Sequence, residues 1–388
     1  CLLLTAVDAK VYIDITAPAL RKLPISLAVT GHQEGREILG IVKNNLNFTG
    51  IFYPLEQGAP GAELSVRIEA KTSNGIIADV FVVDLLENKE ILRKRYSAPA
   101  KLLRAVAHSI SNDIFKIVTG QNGVFRTKLA YVIDYGVEKE LHIMDWDGYN
   151  SQRLVSKGLN LSPHWSHDGS YIAYSSQRDR SWEIYIMNLT TYKEKRLFSA
   201  EGLNLSGGFS PDGLLSFSSS KEGRQEIYVI HHKDGWIKRL TNSLAINVSP
   251  VFSPDGSHIA FVSNRGGSPQ IYVMKSDGNS PKRLTFEGSY NTSPAWSPRG
   301  DWIAFVGRKG GHSQIFLIKW DGSEMRQLTD KGNNENPTFS PDGVFLAFDS
   351  DRDGSKGIYI TRINGEGVKR ITPKGIKATS PKWSTYIK

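Results

Sequence analysis

The chain has 388 residues, of which 39% are hydrophobic and 22% are charged. A chain of this length can bury a full core without a metal or disulfide staple, and its ordinary charge argues against disorder. The single cysteine, Cys1, excludes an intramolecular disulfide and a cysteine-based zinc site. The net charge of +9 is not concentrated in a basic cluster, which disfavours a nucleic-acid partner. No apolar stretch reaches the roughly 18 residues of a membrane span, so we expect no transmembrane segment.

The first residues resemble the end of a secretory signal peptide. The stretch is apolar and finishes Val7-Asp8-Ala9, with small residues where a signal peptidase cleaves. We therefore expect residues 1–9 to be a signal-peptide remnant and the mature, exported chain to start at Lys10. The alternative is that these residues form a buried first strand.

Residues 10–120 carry mixed strand and helix patterns and predict a small α/β domain. Alternating apolar residues indicate strands, and apolar residues three and four apart indicate helices. The predicted strands are residues 11–15, 25–29, 64–72, 76–85 and 91–96, and the predicted helices are residues 36–46 and 101–118. The strands at residues 64–72 and 76–85 are predicted to form a hairpin, and residues 119–123 a linker.

From residue 129 onward the sequence repeats every 43 or 44 residues. Each repeat contains a Pro-x-Trp/Phe-Ser-Pro-Asp-Gly segment or a close variant, followed by three further short strand patterns. The repeated aromatic residues are Trp165, Phe209, Phe252, Trp296, Phe339 and Trp383. Four short strands in a repeat of this length are typical of a β-propeller blade.

The repeats predict a closed ring of six blades over residues 127–388. The first repeat, which starts near Leu129, lacks the Pro-x-Trp strand, and a matching strand pattern is found at residues 381–384. The last strand can therefore complete the first blade, which removes an open sheet edge. The predicted fold class is mainly β, a six-bladed β-propeller preceded by a small α/β domain.

Together, the apparent signal sequence, the small α/β domain and the six blades with Ser-Pro-Asp-Gly turns resemble the TolB family of the Tol–Pal system. The resemblance implies a non-enzymatic periplasmic protein without a cofactor or metal, acting as a monomer in outer-membrane integrity and envelope constriction at cell division. It implies that the propeller binds the lipoprotein Pal. It also implies that an N-terminal segment binds TolA, namely Lys10, Val11, Tyr12, Ile13 and Asp14. That segment could instead pair with a strand of its own domain.

One end of the propeller, called here the entry face, holds the loops that lead into the Pro-x-Trp/Phe strands. Three positions before each such strand pattern stands an asparagine, except at Ala378; the asparagines are Asn160, Asn204, Asn247, Asn291 and Asn334. We expect their side chains to crowd the tunnel mouth and, following the resemblance, to bind Pal together with Ser249 and Thr292, beside Ser162, Ser293 and Ser380. Asparagine also closes turns, so a purely structural role remains the alternative.

The loops after the second strand of each blade lie on the same face and form a basic rim of Arg178, Lys221, Arg265, Arg308 and Arg352. Such a rim could attract an acidic partner. The alternative is a solvated edge or a set of ion pairs between blades.

Enzyme interpretations find little support. A propeller peptidase requires a G-x-S-x-G nucleophile motif, which is absent, as are H-E-x-x-H and phosphate loops. The repeated aspartates Asp168, Asp212, Asp255 and Asp342 stand where Asp and Gly form turns. The alternatives that remain open are an exported adaptor propeller with another protein partner and a propeller hydrolase.

Overall fold

The structure is a computed structural model that describes residues 21–31, 33–72 and 75–386. The chain divides into two compact units, residues 1–126 and 127–388. In the described parts, no helix combines the length and apolarity that a membrane crossing needs. The expected signal-peptide remnant, the strand at residues 11–15 and the TolA segment lie outside the described residues.

In its described residues, the first unit is a five-stranded sheet with two helices. In order across the sheet, the strands are Phe52–Leu55, Leu23–Thr30, Leu64–Thr72, Ile76–Asp84 and Lys89–Ala98. The first two neighbouring pairs are parallel and the last two are antiparallel. The helices are Gln33–Thr49 and Leu103–Thr119, with 3-10 turns at Ala100–Leu102 and Val124–Arg126. Both helices contact the sheet and each other.

Apolar spacing explains the position of the first helix. Ile38, Val42 and Leu46 repeat at four-residue intervals and are fully buried. Between the two helices, the buried Asn45 amide donates to His108 Nδ1 at 3.0 Å. This bond satisfies a polar group that would otherwise be costly to bury.

The predicted helices and strands of this unit that fall within the described residues are present within a few residues of their expected bounds. The sequence patterns missed the strand Phe52–Leu55. It is only four residues long and contains Pro54, which weakens a strand pattern. Its parallel pairing with Leu23–Thr30 comes from the tertiary arrangement.

The second unit contains six groups of four antiparallel strands. The innermost strands are Leu159–Trp165, Asn204–Phe209, Asn247–Phe252, Asn291–Trp296, Asn334–Phe339 and Ala378–Trp383. The second strands are Lys128–Asp134, Tyr171–Gln177, Leu214–Ser219, His258–Ser263, Trp302–Lys309 and Phe345–Ser350. The third strands are Lys139–Asp145, Trp182–Asn188, Glu226–His231, Gln270–Lys275, His312–Lys319 and Gly357–Arg362. The fourth strands are Gln152–Val155, Glu194–Phe198, Ile237–Arg239, Lys282–Arg283, Met325–Gln327 and Lys369–Arg370.

The last strand of the chain closes the ring. Ala378–Trp383 pairs antiparallel with Lys128–Asp134, so the first blade takes its innermost strand from the C-terminal end. The Trp383 indole donates to Thr127 Oγ1 at 2.8 Å and secures this closure. Each innermost strand contacts that of the next blade around the full circle. These contacts confirm the predicted fold class.

The core of the propeller lies between neighbouring blades. Ala173 and Ile184 of one blade pack against Leu215, Phe217 and Tyr228 of the next, and all five side chains are buried. Burying a large apolar side chain contributes about 1.5–3 kcal/mol, so the repeated contact supports the whole ring. The loops on either end are thereby held on a rigid scaffold.

Candidate functional site

The innermost strands line the tunnel, and each carries one bulge. Pairing with the second strand shifts register in all six groups, at the same place in five and one residue later in Asn204–Phe209. The bulge residue of five strands has a positive φ between 51° and 54°. Bulges re-aim a side chain, and here they direct six polar side chains around a narrow cavity of about 80 Å³. This polar ring consists of Ser162, Ser206, Ser249, Ser293, Asn336 and Ser380.

The expectation that the repeated asparagines crowd the tunnel mouth is wrong. Their exposed fractions are between 0% and 3%, and their amides bond inside the protein; they are Asn160, Asn204, Asn247, Asn291 and Asn334. For example, the Asn160 amide donates to the Lys139 carbonyl at 2.7 Å. In this conformation the asparagine side chains are not accessible to a binding partner outside the chain. Ser249, by contrast, is exposed and Thr292 is half-buried.

Three of the asparagines form the same clamp between adjacent blades. In each, the Asn amide donates to a side-chain oxygen at the start of the preceding blade's third strand, at 2.8, 2.8 and 2.9 Å. A threonine hydroxyl donates to the same oxygen. The clamps are Asn247 with Glu226 and Thr241, Asn291 with Gln270 and Thr285, and Asn334 with Gln314 and Thr329. They fix the entry loops by joining consecutive blades.

The sixth position shows why Ala378 replaces asparagine. Its counterpart on the preceding blade is Gly357, which has no side-chain oxygen to accept a bond. The Arg370 guanidinium occupies the place of a side chain at position 357, since a Cβ on Gly357 would lie 2.5 Å from Arg370 Cζ. Arg370 donates to the carbonyls of Ser355 and Pro373 at 3.0 and 3.3 Å. A different group therefore holds this loop.

The predicted basic rim divides into engaged and exposed cations. Arg178 and Arg352 are half-buried, and Lys221, Arg265 and Arg308 are exposed. Arg178 forms a 2.6 Å ion pair with Glu194, and the Arg178 pKa is raised chiefly by this hydrogen bond. Arg352 donates to Asn334 Oδ1 at 2.8 Å. Arg265 donates to Asn247 Oδ1 at 3.0 Å in the same way, and Lys221 lies 3.7 Å from Glu222, but both residues are exposed. Together with the exposed Arg308 they carry the charge that a partner can reach.

An exposed apolar patch lies beside those three cations, and the sequence reasoning missed it. It occupies three consecutive entry loops and consists of Leu203, Leu244, Ile246, Phe286 and Tyr290. Leu244 is 87% exposed and Phe286 is 72% exposed. The Arg308 guanidinium lies 4.6 Å from the Tyr290 ring, so cation and patch are continuous. The sequence does contain a signal for this patch, namely apolar residues in the loops between the fourth strand of a blade and the asparagine that follows it.

The repeated aspartates cap turns on the opposite end of the propeller, called here the turn face. Asp168 accepts bonds from Ser166 Oγ at 2.6 Å and from the Ser170 amide at 3.0 Å. The Ser253 hydroxyl, with other donors, lowers the pKa of Asp255 to about 2. Burial raises the pKa of Asp342 to about 6. These bonds are those of turn formation.

Comparison with known proteins gives the family of the chain. Residues 115–329 and 290–388 match the family model of the TolB beta propeller domain. The Tol-Pal system protein TolB of Francisella tularensis subsp. mediasiatica is 43% identical over 120 residues, 29% of this chain and 28% of that protein. Its counterpart from Desulfosudis oleivorans is 33% identical over 235 residues, 52% and 53% of the two chains. The matched region thus spans about half or less of these relatives' length.

The solved structures extend the likeness to nearly the full chain. The crystal structure of TolB from Acinetobacter baumannii has a TM-score of 0.86 and 28% sequence identity, covering 94% of this chain and 97% of that one. The family model covers most of the chain, including every blade described above. The chain therefore belongs to the TolB β-propeller family.

Proposed function

We propose that the chain is a non-enzymatic, monomeric periplasmic component of the Tol–Pal system that binds Pal through its entry face. Its role is to support outer-membrane integrity and envelope constriction at cell division. The proposal is supported by family membership and by relatives named as Tol-Pal system proteins.

The observation that carries the proposal is the apolar patch flanked by cations on the entry face. Protein interfaces combine buried apolar and aromatic anchors with a polar rim, and a few anchors supply most of the affinity. Leu244 and Phe286 are the most exposed members of the patch. Lys221, Arg265 and Arg308 would attract an acidic partner and raise its association rate.

The asparagines contribute to this face indirectly. Their clamps hold the backbone of the entry loops, so the accessible Ser249 and Thr292 and the apolar patch keep fixed positions. A pre-organised surface loses less conformational entropy on binding. We therefore assign Asn160, Asn204, Asn247, Asn291 and Asn334 a positioning role and assign the contacts to their exposed neighbours.

The experiment is a calorimetric titration of the chain with the soluble domain of the cognate Pal. Phe286→Ala should weaken binding about 30-fold, because truncating an interface anchor costs about 2 kcal/mol. Trp236→Ala is the matched control, since Trp236 is a 48% exposed aromatic on the turn face. Equal affinity of both variants would move the Pal site elsewhere. Absence of Pal binding by the folded chain would favour an adaptor with another partner.

The proposed TolA contact is tested separately. Lys10, Val11, Tyr12, Ile13 and Asp14 form a strand-prone segment, and such a segment can add to a partner's sheet edge. Deleting residues 10–14 should abolish binding to the soluble domain of TolA while leaving Pal affinity unchanged. Retained TolA binding would contradict the assignment of this segment.

A further inference from the structure

A lysine and a histidine stand next to each other in a tunnel wall where the equivalent positions are otherwise small or apolar. The residue before each repeated Trp or Phe faces a wide cavity of about 1040 Å³ at the turn-face end of the tunnel. These six equivalent positions are His164, Gly208, Val251, Ala295, Thr338 and Lys382. His164 and Lys382 come from adjacent innermost strands, which contact each other at ring closure. Both also line the narrow cavity at the polar ring, so they lie where the tunnel constricts.

Among the described residues, none forms a hydrogen bond or an ion pair with the half-buried Lys382 ammonium. Burial lowers the pKa of Lys382 to about 8, and the charge of Asp349 offsets this effect only in part. A partly desolvated cation without a bonded counterion is costly, and an incoming anion would reduce that cost.

The nearby carboxylate is already engaged. Asp349 acts on Lys382 electrostatically, but it accepts bonds from Asn336 Nδ2 and the Ser380 amide, both at 2.8 Å. Its remaining charge faces the Lys356 ammonium at 3.5 Å. Asp349 has no exposed surface and does not line either cavity. Asp349 Oδ1 has no hydrogen bond, but it lies behind the cavity wall, so the opening beside Lys382 is free to take an anion from outside the chain.

His164 supplies a second donor when protonated. Its Nδ1 lies 3.1 Å from the Ser162 carbonyl and donates to it, which leaves Nε2 without a proton in the neutral ring. Burial, and then the charge of Lys382, hold the His164 pKa well below its usual range. An anion at Lys382 would offset that repulsion and favour the protonated ring, so Nε2 would take up to one proton from solvent and donate to the bound group.

The walls select for a carboxylate rather than a metal cation. Among the described residues that line either cavity, Asp168 is the one carboxylate, and it lines the wide cavity. It accepts hydrogen bonds from Ser166 and Ser170 at the outer turn. The Lys382 ammonium would repel a metal ion. The opening is large enough for a small molecule or a peptide loop.

We propose that Lys382 and His164 form a carboxylate-binding site inside the propeller tunnel, reached from the turn face. One carboxylate oxygen accepts from the Lys382 ammonium, and the other accepts from His164 Nε2–H. This site is separate from the apolar patch on the entry face and does not depend on Pal binding there. Its ligand is either a free small carboxylate or the acidic side chain of a peptide.

The test uses the full chain with two probes, succinate and the tripeptide Gly-Glu-Gly, titrated by calorimetry. Lys382→Met removes the charge at similar length and should weaken binding at least about tenfold, since burying an anion beside a lost cation costs more than about 1.4 kcal/mol. Lys128→Met is the matched control, because Lys128 lines the same cavity but is neutralised by Asp145 at 2.6 Å. The control should bind as the unmodified chain does.

Proton uptake gives an independent readout. Binding should be accompanied by uptake of up to one proton, measured in buffers of different ionisation enthalpy, and affinity should rise as the pH falls from about 8 to about 6. His164→Gln should remove the part of this uptake that His164 contributes. Lys382, whose pKa is about 8, also gains protons when an anion binds, and Asp349, Lys356 and Glu335 face this region. The contribution of these groups persists in His164→Gln.

The outcomes separate the sources of the carboxylate. Tighter binding of succinate assigns the site to a free carboxylate, and tighter binding of the tripeptide assigns it to an acidic side chain. Equal affinity of Lys382→Met and Lys128→Met would overturn the proposal. So would the absence of saturable binding by both probes up to about 10 mM.

Discussion

The Asn247 clamp makes a sharp prediction because its bonds join two blades. Asn247 is fully buried, and its amide donates to Glu226 Oε2 at 2.8 Å and to Ser243 Oγ at 2.9 Å. The side-chain oxygen of Asn247, Oδ1, accepts a hydrogen bond from the Arg265 guanidinium at 3.0 Å. Asn247→Ala removes all three bonds and leaves the Glu226 carboxylate, which is 1% exposed, with one donor fewer.

The expected cost follows from the partners. A hydrogen bond to a buried charged group contributes about 2 kcal/mol, and a neutral one about 1 kcal/mol. The bond from the exposed Arg265 is replaced by water and contributes little. The Asn247→Ala substitution should therefore lower the free energy of unfolding by about 3 kcal/mol. For a unit as large as residues 127–388, this corresponds to a fall in Tm of about 6–12 °C.

The assay is thermal and urea unfolding of the propeller variants, combined with Pal titration. Glu226→Gln is the matched control, because Gln270 and Gln314 occupy the same place in the next two blades and accept the same bond. Glu226 Oε1 also accepts from the Ser243 amide at 2.6 Å and from Arg239 at 3.4 Å, and a Gln amide nitrogen in that place cannot accept these bonds. Glu226→Gln should therefore be destabilised by about 1 kcal/mol, less than Asn247→Ala. Below its melting range, Asn247→Ala should still bind Pal.

The clamp interpretation has a clear contrary result. Unchanged thermal stability of Asn247→Ala together with lost Pal binding would make Asn247 a direct contact. The earlier expectation, that the asparagines face the partner, would then be restored. Equal destabilisation by Glu226→Gln would instead show that the negative charge, rather than the acceptor, matters in this blade.

Two further predictions concern the propeller fold. Gly148→Ala should lower the free energy of unfolding by about 2 kcal/mol or more, because the φ of Gly148 is +92° and the added Cβ would lie 2.0 Å from the Ile371 carbonyl oxygen. The measurement is urea unfolding, with Gly223→Ala as the control, since Gly223 has a φ of +100° and open space around it. Equal destabilisation by both substitutions would contradict the contact argument. Burial raises the pKa of Asp342 to about 6, above its unfolded value, so the stability that its protonated form contributes is complete below about pH 4 and is lost as the pH rises through about 6. Asp342→Asn should flatten the decline in Tm between about pH 4 and about pH 6, and an unchanged decline would assign it to other groups.

The sequence alone determined the repeating architecture. A period set by Trp165, Phe209 and their counterparts predicts blades, because each repeat contains the strands and turns of one sheet. The residues near Leu129 and the residues 381–384 predict the closure by Ala378–Trp383, because each end lacks what the other supplies. The patterns of the α/β unit predict most of its elements, but a four-residue strand such as Phe52–Leu55 carries too few residues to show a period.

The tertiary structure decided what the repeated and unrepeated side chains do. The Asn247 amide finds its partner in Glu226, 21 residues earlier in another blade, so the spacing could not show that the asparagine is buried. Likewise, Leu244 and Phe286 are apolar loop residues whose exposure depends on how the loops pack. Trp165 and the Lys382 carbonyl are 217 residues apart in sequence and 2.9 Å apart in space. Closing the ring brings the last strand beside the first complete blade, and this closure places Lys382 beside His164.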